Sequence, residues 1–107
     1  MEKEVVMNIE ERVKIAMLTK YYGRLLTEKQ LKVITMYVDN NLSLAEVAEE
    51  LKISRQAVKD TLDKTTVALI NFEKDLQFIA RDDKIKKILK DNKPEEAVRK
   101  VLSILED

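Results

Sequence analysis

Apolar residues recur at three- and four-residue spacings along almost the whole chain, the period of helices that bury one face. After a mixed-charge arm at Met1–Met7, Asn8 is placed to cap a helix whose first turn carries Glu10 and Glu11. Its apolar positions are Ile9, Val13, Ala16, Met17 and Tyr21, with Leu25 one turn on. Gly23, near the end of this pattern, marks either close helix packing or a loosened final turn. Thr27–Gln30 is a T-x-x-Q capping box, and Leu31, Ile34, Met36, Tyr37 and Val38 carry the second helix. A polar connection follows at Asp39–Leu42, where Asn40 and Asn41 suit turn conformations.

The next segment, Leu44–Leu62, predicts a helix-turn-helix. Ser43–Glu46 is a second capping box, and the helix after it buries Leu44, Val47, Ala48 and Leu51. Ala48 is small enough for the following helix to cross closely. Lys52 stands where such a corner often carries Gly, so a left-handed backbone there costs about 1 kcal/mol. Ile53 plugs the corner, Ser54 caps the next helix, and Ala57, Val58, Thr61 and Leu62 form its inner face.

No Gly or Pro interrupts residues 54–93. Leu62, Thr65, Leu69, Phe72 and Leu76 continue the apolar spacing and resemble the seam of a long helix that seeks a partner. Phe78, Ile79, Ile85, Ile88 and Leu89 form a further amphipathic stretch, with a break expected near Ala80–Asp83. Asp91–Lys93 reads as a turn and Pro94 as a first-turn residue. Ala97, Val98, Val101, Leu102 and Leu105 line a final short helix. The predicted fold is all-α, with a helix-turn-helix core over residues 8–63 and a helical extension over 64–107 that dimerises or packs on the core.

Composition narrows the chemistry. One Gly and one Pro leave little turn material for sheets. Cys and His are both absent, which removes disulfides, thiolate metal sites, the usual general base and the commonest metal ligand. There is no Gly-rich phosphate loop and no H-E-x-x-H motif, so neither catalysis nor a cofactor is expected. No apolar run reaches the roughly 20 residues of a membrane span, and no signal segment precedes Asn8, so the expected location is the cytoplasm.

Charge changes the picture of the helix-turn-helix. The chain has 20 Lys and Arg against 20 Asp and Glu. Residues 44–75, which contain the candidate reading unit, are the most acidic segment, although phosphate affinity rests on clustered cations. The candidate nucleic-acid-binding surface is Ser54, Arg55, Gln56, Lys59 and Asp60, with Asp63 beside it. Arg, Gln and Lys bond well to base edges or phosphates, whereas the two Asp residues repel them. Arg12, Lys14, Lys20, Lys29 and Lys32 serve either as supplementary phosphate contacts or as solvated positions. The same choice applies to the basic run Lys84, Lys86, Lys87 and Lys90, whose alternative target is RNA or acidic protein. Tyr21 and Tyr37 are expected inward and Tyr22 at an edge. The seam Leu62, Thr65, Leu69, Phe72 and Leu76 is the expected oligomer interface, because an exposed seam is otherwise an aggregation liability.

Several of these segments resemble the YlxM-like family of helix-turn-helix proteins, also called UPF0122. The matching blocks are Tyr21-Tyr22-Gly23, Leu25–Gln30, Ser43–Glu50 (SLAEVAEE) and Ser54–Val58 (SRQAV). They also resemble the fourth region of bacterial sigma factors. The family resemblance implies a small bacterial cytoplasmic protein linked to the signal recognition particle pathway, with Ser54, Arg55, Gln56, Lys59 and Asp60 on the recognition helix. This chain departs from the familiar pattern at Lys59, Asp60 and the last 25 residues. Two functions therefore stand: a non-catalytic regulatory or accessory protein of that pathway, and a direct DNA-binding transcription regulator. The expected partners are a second copy of the chain, DNA or signal recognition particle RNA, and the particle's GTPase.

Overall fold

The computed structural model describes residues 7–106, so most of the Met1–Met7 arm lies outside the described residues. Every regular element among these residues is helical: α1 Ile9–Tyr22, α2 Glu28–Ile34, α3 Leu44–Leu51, α4 Arg55–Leu76, α5 Phe78–Asp91 and α6 Pro94–Leu105. They divide into two compact units with the boundary after Asp75. Within this arrangement α4 runs unbroken through position 63.

The helix starts follow the sequence closely. Asn8, Thr27 and Ser43 each accept a hydrogen bond from the backbone N–H three residues on. Glu11, Gln30 and Glu46 return the bond to the capping residue's own N–H. All three helices thus begin with complete capping boxes, which satisfy backbone donors that lack an intrahelical partner.

The core of the first unit differs from the expected one in α1. Ile15, Leu18 and Tyr22 are buried, whereas Ile9 is 80% and Val13 61% exposed. The inward row is therefore not the Ile9–Val13–Met17–Tyr21 row. Tyr22 is fully enclosed and Tyr21 half-buried, the reverse of the expectation for this pair. Tyr37 is buried as expected. The rest of this core comes from Val33 and Ile34 of α2, Leu44, Val47 and Ala48 of α3, and Val58, Leu62, Thr65 and Leu69 of α4.

Gly23 opens a short 3₁₀ turn, Gly23–Leu25, after α1. It is buried, and a Cβ there would meet Leu31 Cδ1 at 3.4 Å and Thr19 Cγ2 at 3.6 Å. The loosened turn and the close packing anticipated as alternatives thus occur together. A second irregularity had no counterpart in the spacing analysis. α2 widens into a π-helical turn over Thr35–Asp39, closed by the bond from Asn40 N–H to the Thr35 carbonyl. Arg12 braces that turn from α1. Its Nη1 donates to the Tyr37 carbonyl at 2.8 Å, and its guanidinium lies 4.7 Å from the centre of the Tyr37 ring. Asn41 then reverses the chain with φ 56°.

The break expected near Ala80–Asp83 falls earlier, at Gln77. This residue has φ 55° and ψ 32°, a left-handed conformation that ends α4 without a Gly or Pro. In the second unit, α5 and α6 form a hairpin closed at one end by side-chain bonds. Lys100 Nζ donates to Asn92 Oδ1, and Asn92 Nδ2 donates to the Ile88 carbonyl, each at 2.8 Å.

Candidate nucleic-acid interface

The helix-turn-helix is built by α3, its corner and the start of α4. Lys52 takes the left-handed conformation its position demands, at φ 58° and ψ 44°. The N–H of Ile53 bonds to the Ala48 carbonyl and that of Lys52 to the Glu49 carbonyl, a Schellman closure that satisfies the end of α3. Ser54 then starts α4, its Oγ accepting from the Ala57 N–H at 3.0 Å. The backbone reverses within two residues, so α3 and α4 share the core through Val47, Ala48, Val58 and Leu62.

Burial of Val58 and Leu62 fixes which side of α4 reaches solvent. Arg55, Gln56, Asp60 and Asp63 are exposed, and Lys59 is half-buried. All the candidate recognition residues thus lie along the first turns of one helix. Ser54 differs in role, since its hydroxyl is engaged in the cap. The exposed groups are also paired along the helix. Gln56 Nε2 donates to Asp60 Oδ1 at 2.9 Å, and Lys59 Nζ meets Asp63 Oδ2 at 3.1 Å. Both pairs have the i,i+4 spacing that favours such contacts. Sequence reasoning identified Asp60 and Asp63 as repulsive to phosphate but missed that each neutralises or occupies a reading residue. The spacing was the available signal.

Two grooves flank this face. One, of about 420 Å³, is lined by Met7, Glu11, Tyr37, Leu44, Lys59 and Asp63 among others. The other, of about 560 Å³, lies between the start of α2 and the α3–α4 corner, with Lys29, Lys32, Leu51 and Ile53 in its walls. Lys32 pairs with Glu28 at 3.6 Å across a solvated turn. Arg12, considered as a supplementary phosphate contact, is instead engaged with Tyr37.

The expected oligomer seam is largely occupied within the chain. Leu62, Thr65 and Leu69 are buried in the first unit, and the Thr65 hydroxyl donates to the Thr61 carbonyl at 2.6 Å. Phe72 is half-buried, with its ring 6.0 Å from that of Tyr22. Leu76 alone of the five is exposed. The contacts of this row include the chain's own α1, through Tyr22 and Phe72. Off this row, α4 also exposes the apolar residues Val67 and Ile70.

Among the described residues, no group of three or more His, Cys, Asp or Glu could hold a metal ion. No described helix is long and apolar enough to cross a membrane.

Comparison with known proteins places this architecture in a family. Residues 9–106 match the model of UPF0122, described as "Putative helix-turn-helix protein, YlxM / p13 like". A UPF0122 protein of Clostridium perfringens strain SM101 is 45% identical over 76 residues, covering 71% of this chain and 68% of the relative. One from Clostridium acetobutylicum is 41% identical over 86 residues, covering 78% and 74%. Another, from Desulforamulus reducens, is 44% identical over 68 residues, covering 64% and 58%. With all of its described helical elements inside the matched span, the chain belongs to the UPF0122 family of YlxM/p13-like proteins.

Proposed function

We propose that this protein is a non-catalytic accessory protein of the signal recognition particle pathway, and that the exposed face of its helix-turn-helix docks the particle's GTPase. The observation that carries this reading is the internal pairing of the α4 face. Gln56 with Asp60 and Lys59 with Asp63 present a nearly charge-balanced surface. A phosphate polymer favours clustered cations, whereas a protein partner accepts mixed polar pairs at an interface rim. The connection to the pathway rests on family resemblance, carried by the SLAEVAEE and SRQAV blocks.

Crosslinking in native cytoplasm followed by affinity recovery tests the proposal. Enrichment of the particle's GTPase, diminished in R55A/K59A, supports it. Enrichment of discrete DNA fragments without that GTPase opposes it.

Direct DNA reading is the second possibility, favoured by the intact Schellman corner and the exposure of Arg55 and Gln56. It requires Gln56 and Lys59 to exchange their carboxylate partners for base edges or phosphates. Under this reading D60N/D63N strengthens binding to duplex DNA, and R55A/K59A abolishes it with the fold intact.

A further inference from the structure

α1 is apolar on two sides. Ile15, Leu18 and Tyr22 face the core of the first unit, while Ile9, Val13 and Met17 form a second row on the opposite side. Spacings of four place these three on one stripe, and they are 80%, 61% and 44% exposed. A surface helix ordinarily turns polar residues outward, and one that is apolar all round is covered on both sides. The stripe carries charge at its two ends. Glu10 flanks it in the first turn of α1, and Lys20 extends it in the last. On a helix of 3.6 residues per turn, Lys20 lies within about 20° of Val13 and Glu10 within about 60°. Both are exposed, and neither pairs with another described residue. The other charges of α1 lie off the stripe. Glu11 closes the capping box, Arg12 braces Tyr37, and Lys14 is about 100° from Val13.

We infer that a second copy of this chain covers the stripe, α1 against α1, antiparallel about a two-fold axis. A two-fold contact sets one patch against itself, so the patch has to be self-complementary. This one is apolar in the middle, acidic at the start and basic at the end. With the axis level with the midpoint between Val13 and Met17, Val13 of each copy lies against Met17 of the other. In the same register Glu10 of each copy lies beside Lys20 of the other, and the helix dipoles oppose. A parallel pair would set Lys20 against Lys20 and bring both acidic first turns to one end. An anionic lipid surface would meet Glu10 beside the same stripe, a contact that charge disfavours. This interface is distinct from the Leu62–Leu76 seam, much of which is buried within the chain, and it holds whichever macromolecule the helix-turn-helix binds.

Sedimentation equilibrium of the full chain, from low micromolar to several hundred micromolar, reads the association directly. The expected result is a monomer–dimer equilibrium weakened at least ~30-fold by V13E/M17E, with unchanged helix content because both positions are exposed. E10K and K20E should each weaken association when alone, since each sets like charges across the axis. Mixed in equal amounts, the E10K and K20E chains should associate with one another, because every end contact then joins opposite charges. The chain has no Cys, so mixed V13C and M17C chains under oxidising conditions give a second readout. The expected disulfide joins one kind of chain to the other. A monomer at every concentration overturns the inference, and binding of that monomer to phosphatidylglycerol vesicles would assign the stripe to a lipid surface instead. A dimer indifferent to V13E/M17E, or E10K and K20E chains that stay apart when mixed, also overturns it.

Discussion

Tyr22 of α1 donates its phenolic hydrogen to Glu73 Oε1 of α4 at 2.5 Å, across 51 positions of sequence. The tyrosine ring is fully enclosed, and its hydroxyl emerges where the carboxylate can accept it. This bond ties the later turns of α4 to the end of α1 and complements the neighbouring contact between Tyr22 and Phe72. Tyr22→Phe keeps the ring and deletes the donor. The expected loss is about 1–2 kcal/mol, because the acceptor is a carboxylate in a part-buried setting. Urea unfolding should report it as a lower midpoint with an unchanged slope.

Lys52 holds a left-handed backbone at the corner of the helix-turn-helix. Glycine adopts that conformation without the Cβ penalty, so Lys52→Gly should stabilise the protein by about 1 kcal/mol. Lys52→Ala retains the Cβ and should give no comparable gain. Thermal melts of the two variants side by side separate the backbone effect from loss of the lysine charge.

Ser54 was singled out with the recognition residues, yet its hydroxyl caps α4. Ser54→Ala should cost about 1 kcal/mol of stability. Ser54→Asp preserves an acceptor and should recover most of that loss. A Ser54→Ala protein as stable as the parent would contradict the capping role.

Gly23 is buried but has an ordinary right-handed backbone, φ −55° and ψ −32°. A single Cβ would touch Leu31 and Thr19 at normal contact distance. Gly23→Ala should therefore be neutral or stabilising by about 0.5 kcal/mol, through reduced freedom of the unfolded chain. Gly23→Val adds two further methyl groups toward the same neighbours and should destabilise by about 1–3 kcal/mol. Differential scanning calorimetry of both variants checks the contrast.

These details show where the sequence was legible. The capping boxes at Thr27 and Ser43 and the left-handed Lys52 follow from local chemistry, and the structure contains all of them. Face selection in α1 was not local, because Ile9, Val13 and Met17 offer an apolar row alongside that of Ile15, Leu18 and Tyr22. Periodicity is satisfied by either row, and packing against the other helices chooses between them. Spacing alone read the Leu62, Thr65, Leu69, Phe72 and Leu76 row as an oligomer interface, but spacing carries no information about whether a row's partner lies in the same chain, and Leu62, Thr65 and Leu69 are buried within it. Gln77 breaks the helix with a residue that tolerates helix interiors well, so no composition signal marked it. At the candidate site, residue types and placement were legible. The pairing of Gln56 and Lys59 with their acidic neighbours emerged with the side-chain geometry.

The most direct measurement of the central claim is a binding titration of the purified, labelled chain at physiological salt, in parallel against the signal recognition particle GTPase and a random-sequence DNA duplex. The account predicts saturable binding to the GTPase, weakened by R55A/K59A, with little affinity for the duplex. Tight, salt-sensitive binding to DNA with no measurable interaction with the GTPase would contradict it.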